Sequence, residues 1–247
     1  MPNPYLQGWV AASVPKAGSI AQENEDATAA DSKRVRFALA DGATEGWQSG
    51  GWAQHLAKSY IAKPPGPANF QEWLASVRKN WTPRASTNEA WYAEVKAEQG
   101  SFATLLGLEF RLGSDPPGLV WKAVAVGDSC LFVVRRGKLE LAFPVDSAAA
   151  FGNQPPLVAS GRERTCPEPE WLAGWSEPGD LFLLATDAVA KFLLESGVNR
   201  IAVTAEKAIA SGTATPLVEL LEELRARLND DASIIAIRVA DSTPRPR

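Results

Sequence analysis

Residues 101–143 read SFATLLGLEFRLGSDPPGLVWKAVAVGDSCLFVVRRGKLELAF, and the order of elements in this stretch decides the fold. It divides into four strand-like runs, SFATLLGLEFRL, GLVWKAVAV, SCLFVVR and KLELAF, rich in branched and aromatic residues. Gly, Pro and Asp part them, and Arg135-Arg136-Gly137-Lys138 reads as a tight hairpin. Strands joined by such short turns pair antiparallel, because a parallel pair needs a crossover of a dozen or more residues. A parallel, alternating strand–helix sheet is therefore disfavoured.

Toward the N-terminus, residues 5–14 and 35–40 read as strands, with VRFALA placing Val35, Phe37 and Leu39 on one face. The polar, Ala-rich stretch between them, carrying Glu25 and Asp26, reads as a loop. A helical pattern runs from about Thr44 to Ala62 and is broken by Lys63-Pro64-Pro65-Gly66-Pro67. Amphipathic helices are expected over 69–80 and 87–98. Toward the C-terminus, residues 144–179 are rich in proline and glycine with little periodicity, and read as a long irregular loop of the kind that usually serves function. LFLLAT reads as a buried strand, helices are expected over about 188–195, 200–211 and 215–228, and SIIAIRV closes the chain as a strand. These elements predict an α+β fold of two packed antiparallel sheets, a sandwich flanked by helices on both sides. One domain over residues 1–240 and a flexible tail over 241–247 are expected.

Composition narrows the function. The chain has 247 residues, 45% of them hydrophobic and 22% charged, which is ordinary globular composition. A formal net charge of -4 offers no electrostatic footprint for nucleic acid or an anionic membrane. MPNPYLQGWV lacks the basic and apolar regions of a signal peptide, and no apolar run approaches the roughly 20 residues of a membrane helix. A soluble, cytoplasmic, monomeric protein is expected. With two cysteines and one histidine, a zinc site of soft ligands is nearly excluded.

What remains is carboxylate chemistry. Acidic residues stand where apolar runs stop: Glu25-Asp26 in NEDA, Asp41 after VRFALA, Asp128 after WKAVAVG, Asp187 after LFLLAT and Asp230 before SIIAIRV. Carboxylates at the ends of neighbouring strands can converge, and such a knot repels itself unless cations occupy it; hard oxygen donors suit Mg²⁺ or Mn²⁺. Each motif also has a plain reading. Asp41-Gly42 and Gly127-Asp128-Ser129 are turn sequences, Asp187 could cap the helix after it, and Asp230-Asp231 could be a polar helix exit.

As an ordered series, NEDA, ALADG, AVGDS, LLATD and NDDAS resemble the metal-dependent protein phosphatases of the type 2C-like family, in particular compact bacterial members, over about Gly18 to Val239. The resemblance implies a two-sheet antiparallel sandwich and a serine/threonine phosphoprotein phosphatase with two Mg²⁺ or Mn²⁺ ions and a possible third. It implies that Asp41 bridges two ions with the Gly42 carbonyl as a further ligand, that Asp187 and Asp230 complete one shell, that Glu25 and Asp26 hold the other ion, and that Asp128 supports the third. Asp41, Asp187 and Asp230 are then the catalytic set. Asp231 matches the polar position after the ligand.

The sequence departs from that family in three places. Ala21 and its neighbours stand where a phosphate-gripping arginine precedes NED, Cys130 follows Gly-Asp-Ser, and Ala43-Thr44-Glu45-Gly46 supplies no histidine. Lys16, Arg162 and Arg164 are the candidates to replace the arginine. Two rival functions follow, a catalytically impaired binding or regulatory module of the same fold and a metal-dependent small-molecule phosphatase. Cys130 and Arg136 have the C-x5-R spacing of cysteine phosphatases, but LFVVR between them reads as an apolar strand, so Cys130 is expected to be a buried structural thiol. His55 is expected to pack rather than catalyse.

Overall fold

The computed structural model describes residues 5–44, 46–83, 100–114, 117–152 and 154–241. Its strands in chain order are β1 (Leu6–Val14), β2 (Ala27–Asp31), β3 (Arg36–Ala40), β4 (Phe102–Ala103), β5 (Leu105–Ser114) and β6 (Pro117–Val126). There follow β7 (Cys130–Arg135), β8 (Lys138–Phe143), β9 (Val158–Ala159), β10 (Glu170–Trp175), β11 (Leu181–Ala185) and β12 (Ala232–Val239). The described helices are α1 (Ser49–Ala62), α2 (Phe70–Asn80), α3 (Asp187–Ser196), α4 (Asn199–Ser211) and α5 (Thr215–Leu228).

Two five-stranded sheets form, ordered β1-β12-β11-β7-β8 and β10-β6-β5-β3-β2, and every pairing is antiparallel. The hairpin between β7 and β8 turns at Arg136 and Gly137, both at positive φ (52° and 75°), as a two-residue loop matched to strand twist requires.

Three apolar layers hold the sandwich together. Between the sheets lie Phe37, Leu39, Leu108 and Phe110 from one and Leu131, Val133, Phe182, Leu184, Ile235 and Ile237 from the other. Phe110 meets Phe182 edge-on at 4.9 Å between centroids. The outer face of the first sheet (Val10, Phe132, Leu183, Ile234) is covered by α3, α4 and α5. In α5, Leu217, Leu220, Leu221 and Leu224 recur at helical spacing and are buried, each worth roughly 1.5–3 kcal/mol by area. The outer face of the second sheet packs on α1 and α2 through Trp52, Leu56, Phe70, Trp73 and Leu74. Both faces of SIIAIRV are thus covered, which is why that run is continuously apolar rather than alternating.

The structure corrects the sequence reading at several places. The stretch after Asp26 is not loop: Ala27–Asp31 is the edge strand β2, formed of small residues whose pairing with β3 supplies the order their own propensity does not. The stretch 144–179 is not wholly irregular either. It contains β9 and the six-residue β10, an edge strand whose partner β6 sets its register. The first helix begins at Ser49, not Thr44, behind Gln48 in the left-handed region (φ 51°). The helix expected over 87–98 and the tail beyond Asp241 lie outside the described residues.

Candidate active site

Strand register explains how distant acids meet. Ala27 pairs with Ala40, so Asp26 and Asp41 leave the second sheet side by side. Leu39 pairs with Leu106 and Leu105 with Val126, which brings Asp128 to the same end. On the other sheet Ala185 faces both Cys130 and Ile234, so Asp187 and the Asp230-Asp231 pair arrive there too. The two sheets open at this edge into a cleft of about 560 Å³ lined by Asp41, Gly42, Asp128, Asp187, Asp230 and Asp231. Gln154, Pro155 and Leu157 of the long loop close one side, and Thr44 and Thr104 lie in its wall. Glu25 and Asp26 line an adjoining cavity of about 670 Å³ with His55 and Trp81.

The local supports are specific. Asp41 and Thr104 hold each other: Asp41 N donates to Thr104 Oγ1 (2.9 Å) and Thr104 N to Asp41 O (2.8 Å), while Thr104 Oγ1 also meets Ser129 Oγ (2.8 Å). Gly42 has to be glycine, since a Cβ would stand 2.7 Å from the Ser49 carbonyl carbon and 2.9 Å from Glu25 O. Gly127 sits at φ 106° with Thr104 Cγ2 2.6 Å from where a Cβ would be, so the turn carrying Asp128 tolerates only glycine. Asp187 opens α3, where the helix N-terminus favours a carboxylate, and Ala188 N donates to its Oδ1. Thr186 Oγ1 donates to Asp26 Oδ2 (3.2 Å) and accepts from Ser233 N (3.0 Å), tying the two sheets across the site.

The electrostatics are those of charge crowded with charge. Burial first, and then repulsion from Asp26, Asp187, Asp230 and Asp128, hold the Asp41 carboxyl well above the usual range. Asp26 is pushed up to about 8 by burial and by Asp231 and Asp187, against hydrogen bonds from Ser233 and Thr186. Asp128 rises to about 6 through burial and Asp187. Asp187 rises by burial and Asp230, and Glu25 by burial, Lys16 and a Thr44 hydrogen bond pulling the latter back. Asp26 Oδ1 is buried with no hydrogen-bond partner. An orphaned carboxylate oxygen in an all-oxygen donor set fits a hard divalent cation. Among the described residues no three of these side chains form a ready-made coordination cage. They share a cleft and a field rather than one closed ligand shell.

The remaining sequence candidates take other partners or other places. Asp231 spends both carboxylate oxygens on backbone, accepting from Lys16 N and Glu25 N at 2.8 Å each. Lys16 stands near enough to Glu25 to draw its carboxyl downward, and Arg225 fastens its loop through the Pro15, Lys16 and Ser19 carbonyls. Arg162 and Arg164 do not fold over the carboxylates as expected: both are exposed and line a separate pocket, because β9 pairs with β4 and carries the segment after it away from the cleft. Cys130 is fully buried with its thiol pushed up to about 12 by burial. His55 packs between Trp52 and Trp81 with Nε2 3.0 Å from Val77 O. Thr104, Thr186 and Gln154 were not legible as site residues, since each depends on a partner remote in sequence.

No protein-family model and no curated protein sequence matches the chain. Solved structures do, and they define the class of fold as that of the PPM-type serine/threonine phosphatases. One is the catalytic domain of the phosphatase PstP in complex with two manganese ions (TM-score 0.62, 19% identity, covering 94% of this chain and 98% of that one). Another is PppA, a regulatory component of the type VI secretion system in Pseudomonas aeruginosa (TM-score 0.61, 19% identity, 95% and 99% covered). A third is MsPP from Mycobacterium smegmatis in complex with cacodylate (TM-score 0.59, 16% identity, 94% and 98% covered). The likeness lies in the fold.

Proposed function

We propose that the protein is a Mg²⁺- or Mn²⁺-dependent phosphatase that hydrolyses phosphoserine and phosphothreonine in proteins. One observation carries the reading: segments from two sheets deliver Asp41, Asp128, Asp187 and Asp230 to one cleft with Asp26 close by, and burial and mutual repulsion raise the proton affinity of Asp26, Asp41, Asp128 and Asp187. So costly a cluster is explained by cations that neutralise it. The fold shared with PstP, which holds two manganese ions, supports the same choice.

Asp41, with the Gly42 carbonyl as a further ligand, would serve both ions, Asp187 and Asp230 would complete the shell of one, Glu25 and Asp26 would hold the other, and Asp128 would support a third. When bound, a pair of divalent ions supplies Lewis acidity and a water of lowered pKa, so no protein nucleophile is needed. The chain's own residues orient and shield. Thr104 fixes the Asp41 backbone, Thr186 fixes Asp26, and Gln154, Pro155 and Leu157 narrow the cleft against bulk water. Cys130, buried and with a raised pKa, is held out of the chemistry.

A second reading, a regulatory module with impaired catalysis, is favoured by one feature: among the described residues the cleft lining contains no lysine or arginine. Turnover of an aryl phosphate with Mn²⁺ separates the two. The enzyme reading expects activity that disappears with chelator, returns with Mn²⁺ or Mg²⁺, and is nearly abolished in Asp41→Asn. A correctly folded, metal-loaded wild-type protein without turnover supports the regulatory module instead. Comparing phosphopeptides with small phosphate esters then tests the substrate class.

A further inference from the structure

A separate pocket of about 280 Å³ lies beside the turn at residues 160–164. Arg78, Arg162 and Arg164 line it, and among the described residues no Asp or Glu does, in a chain whose net charge is -4. Arg78, in the last turn of α2, is only 8% exposed. Its Nε donates to Ala159 O (2.9 Å), but Nη2 is buried with no hydrogen-bond partner. None of the three arginines enters an ion pair among the described residues. A buried guanidinium donor left idle is costly, and an anion beside Arg78 Nη2 supplies the acceptor it lacks.

The pocket is built, not incidental. Its floor is the β4–β9 junction, where Ser160 N donates to Ser101 O (2.8 Å) and Ser101 N to Ser160 Oγ (2.9 Å). Trp47 N donates to Gly100 O (3.1 Å), and the Ser101 hydroxyl donates to Trp47 O. The same strand leads to the carboxylate cleft, since Thr104 N bonds Asp41 O. The four residue steps from Gly100 to Thr104, at a strand's rise, put the pocket roughly 13 Å from Asp41.

We propose that this pocket is a phosphate subsite, filled by a second phosphate carried on an extended phosphopeptide whose scissile phosphoserine occupies the carboxylate cleft. Guanidinium forks match phosphate oxygens in pairs, which an ammonium does not. The identity of the ligand as substrate rests on the phosphatase reading; the pocket's affinity for phosphate does not.

Two measurements test it. In the first, inorganic phosphate is titrated into metal-free wild-type protein in chelator and followed by ³¹P line broadening, beside the Arg162→Ala/Arg164→Ala variant, whose altered side chains are exposed. Saturable binding that weakens tenfold or more in the variant is expected. Binding that is absent from the wild type, or equal in the two folded proteins, overturns the subsite. Arg78→Met gives a further check by the same titration, folding being verified by circular dichroism; unchanged binding there also counts against the pocket. In the second, KM is compared for a singly and a doubly phosphorylated peptide with phosphates four residues apart. A tenfold lower KM for the second, lost in the variant, is expected. Arginine-dependent phosphate binding with equal KM values would show free phosphate to be the ligand and overturn the extended-substrate assignment. A protein without turnover that still binds phosphate through the arginines leaves the pocket standing and removes the phosphatase reading.

Discussion

Thr104 and Asp41 exchange two hydrogen bonds in opposite directions, backbone to hydroxyl and backbone to backbone, at 2.9 and 2.8 Å. This pairing links β4 to the end of β3 and fixes the direction in which the Asp41 side chain leaves the sheet. Thr104→Val keeps the shape but leaves Asp41 N without its acceptor, an expected loss of about 1–3 kcal/mol in a buried setting. Activity should fall in Thr104→Val and recover in Thr104→Ser, whose hydroxyl can accept the same bond. Chemical denaturation and kcat, measured side by side for the two variants, check this.

The crowded carboxylates make stability depend on pH with a definite sign. Their folded-state affinity for protons is raised, to about 8 for Asp26 and about 6 for Asp128, while in an unfolded chain such groups titrate near 4. The folded state therefore holds protons that the unfolded state has given up. The stability this supplies is complete below about pH 4 and is lost as pH rises toward about 8. Metal-free protein should melt at a lower temperature at about pH 8 than at about pH 5, and Asp26→Asn should flatten that slope. Added Mn²⁺ should raise Tm more at the higher pH, because protons compete for the same oxygens. Thermal melts with and without chelator decide the matter.

Cys130 offers a test of chemistry against spacing. It is fully buried, its thiol 3.2 Å from Asp128 O and pushed up to about 12. Cys130→Ser should fold with a stability loss of about 1 kcal/mol and keep its turnover. Thiol alkylation of the native protein should be slow. A folded, inactive Cys130→Ser enzyme, with phosphocysteine trapped in the parent, would point to a cysteine nucleophile instead.

Asp230 and Asp231 are neighbours with separable jobs. Asp230 is exposed and faces the cleft, whereas Asp231 is 5% exposed and holds the backbone of Lys16 and Glu25. Asp231→Ala removes two charge-assisted hydrogen bonds and should cost about 3 kcal/mol, lowering Tm. Asp230→Asn should leave Tm nearly unchanged while removing most activity. The paired Tm and kcat values distinguish a clamp from a cation ligand.

Much of this was legible in the chain itself. The meander from Ser101 to Phe143 dictated antiparallel pairing, because turns of two or a few residues can join strands in no other way, and the spacing of Leu217, Leu220, Leu221 and Leu224 dictated a helix with one buried face. The acids at strand ends were visible as a series, since each interrupts an apolar run. What only the tertiary structure decided is which partners these residues meet. Whether Asp231 binds a cation or a backbone amide depends on where residues 16 and 25 lie, more than two hundred positions away. β2 and β10 exist because β3 and β6 offer open edges, a condition outside their own segments. Arg162 and Arg164 were read toward the carboxylates from their loop alone, but the short β4–β9 pairing turns that loop to Arg78. Periodicity and turn chemistry are local and survive in a linear sequence; hydrogen bonds and charge fields act through space, so their assignment waits on the fold.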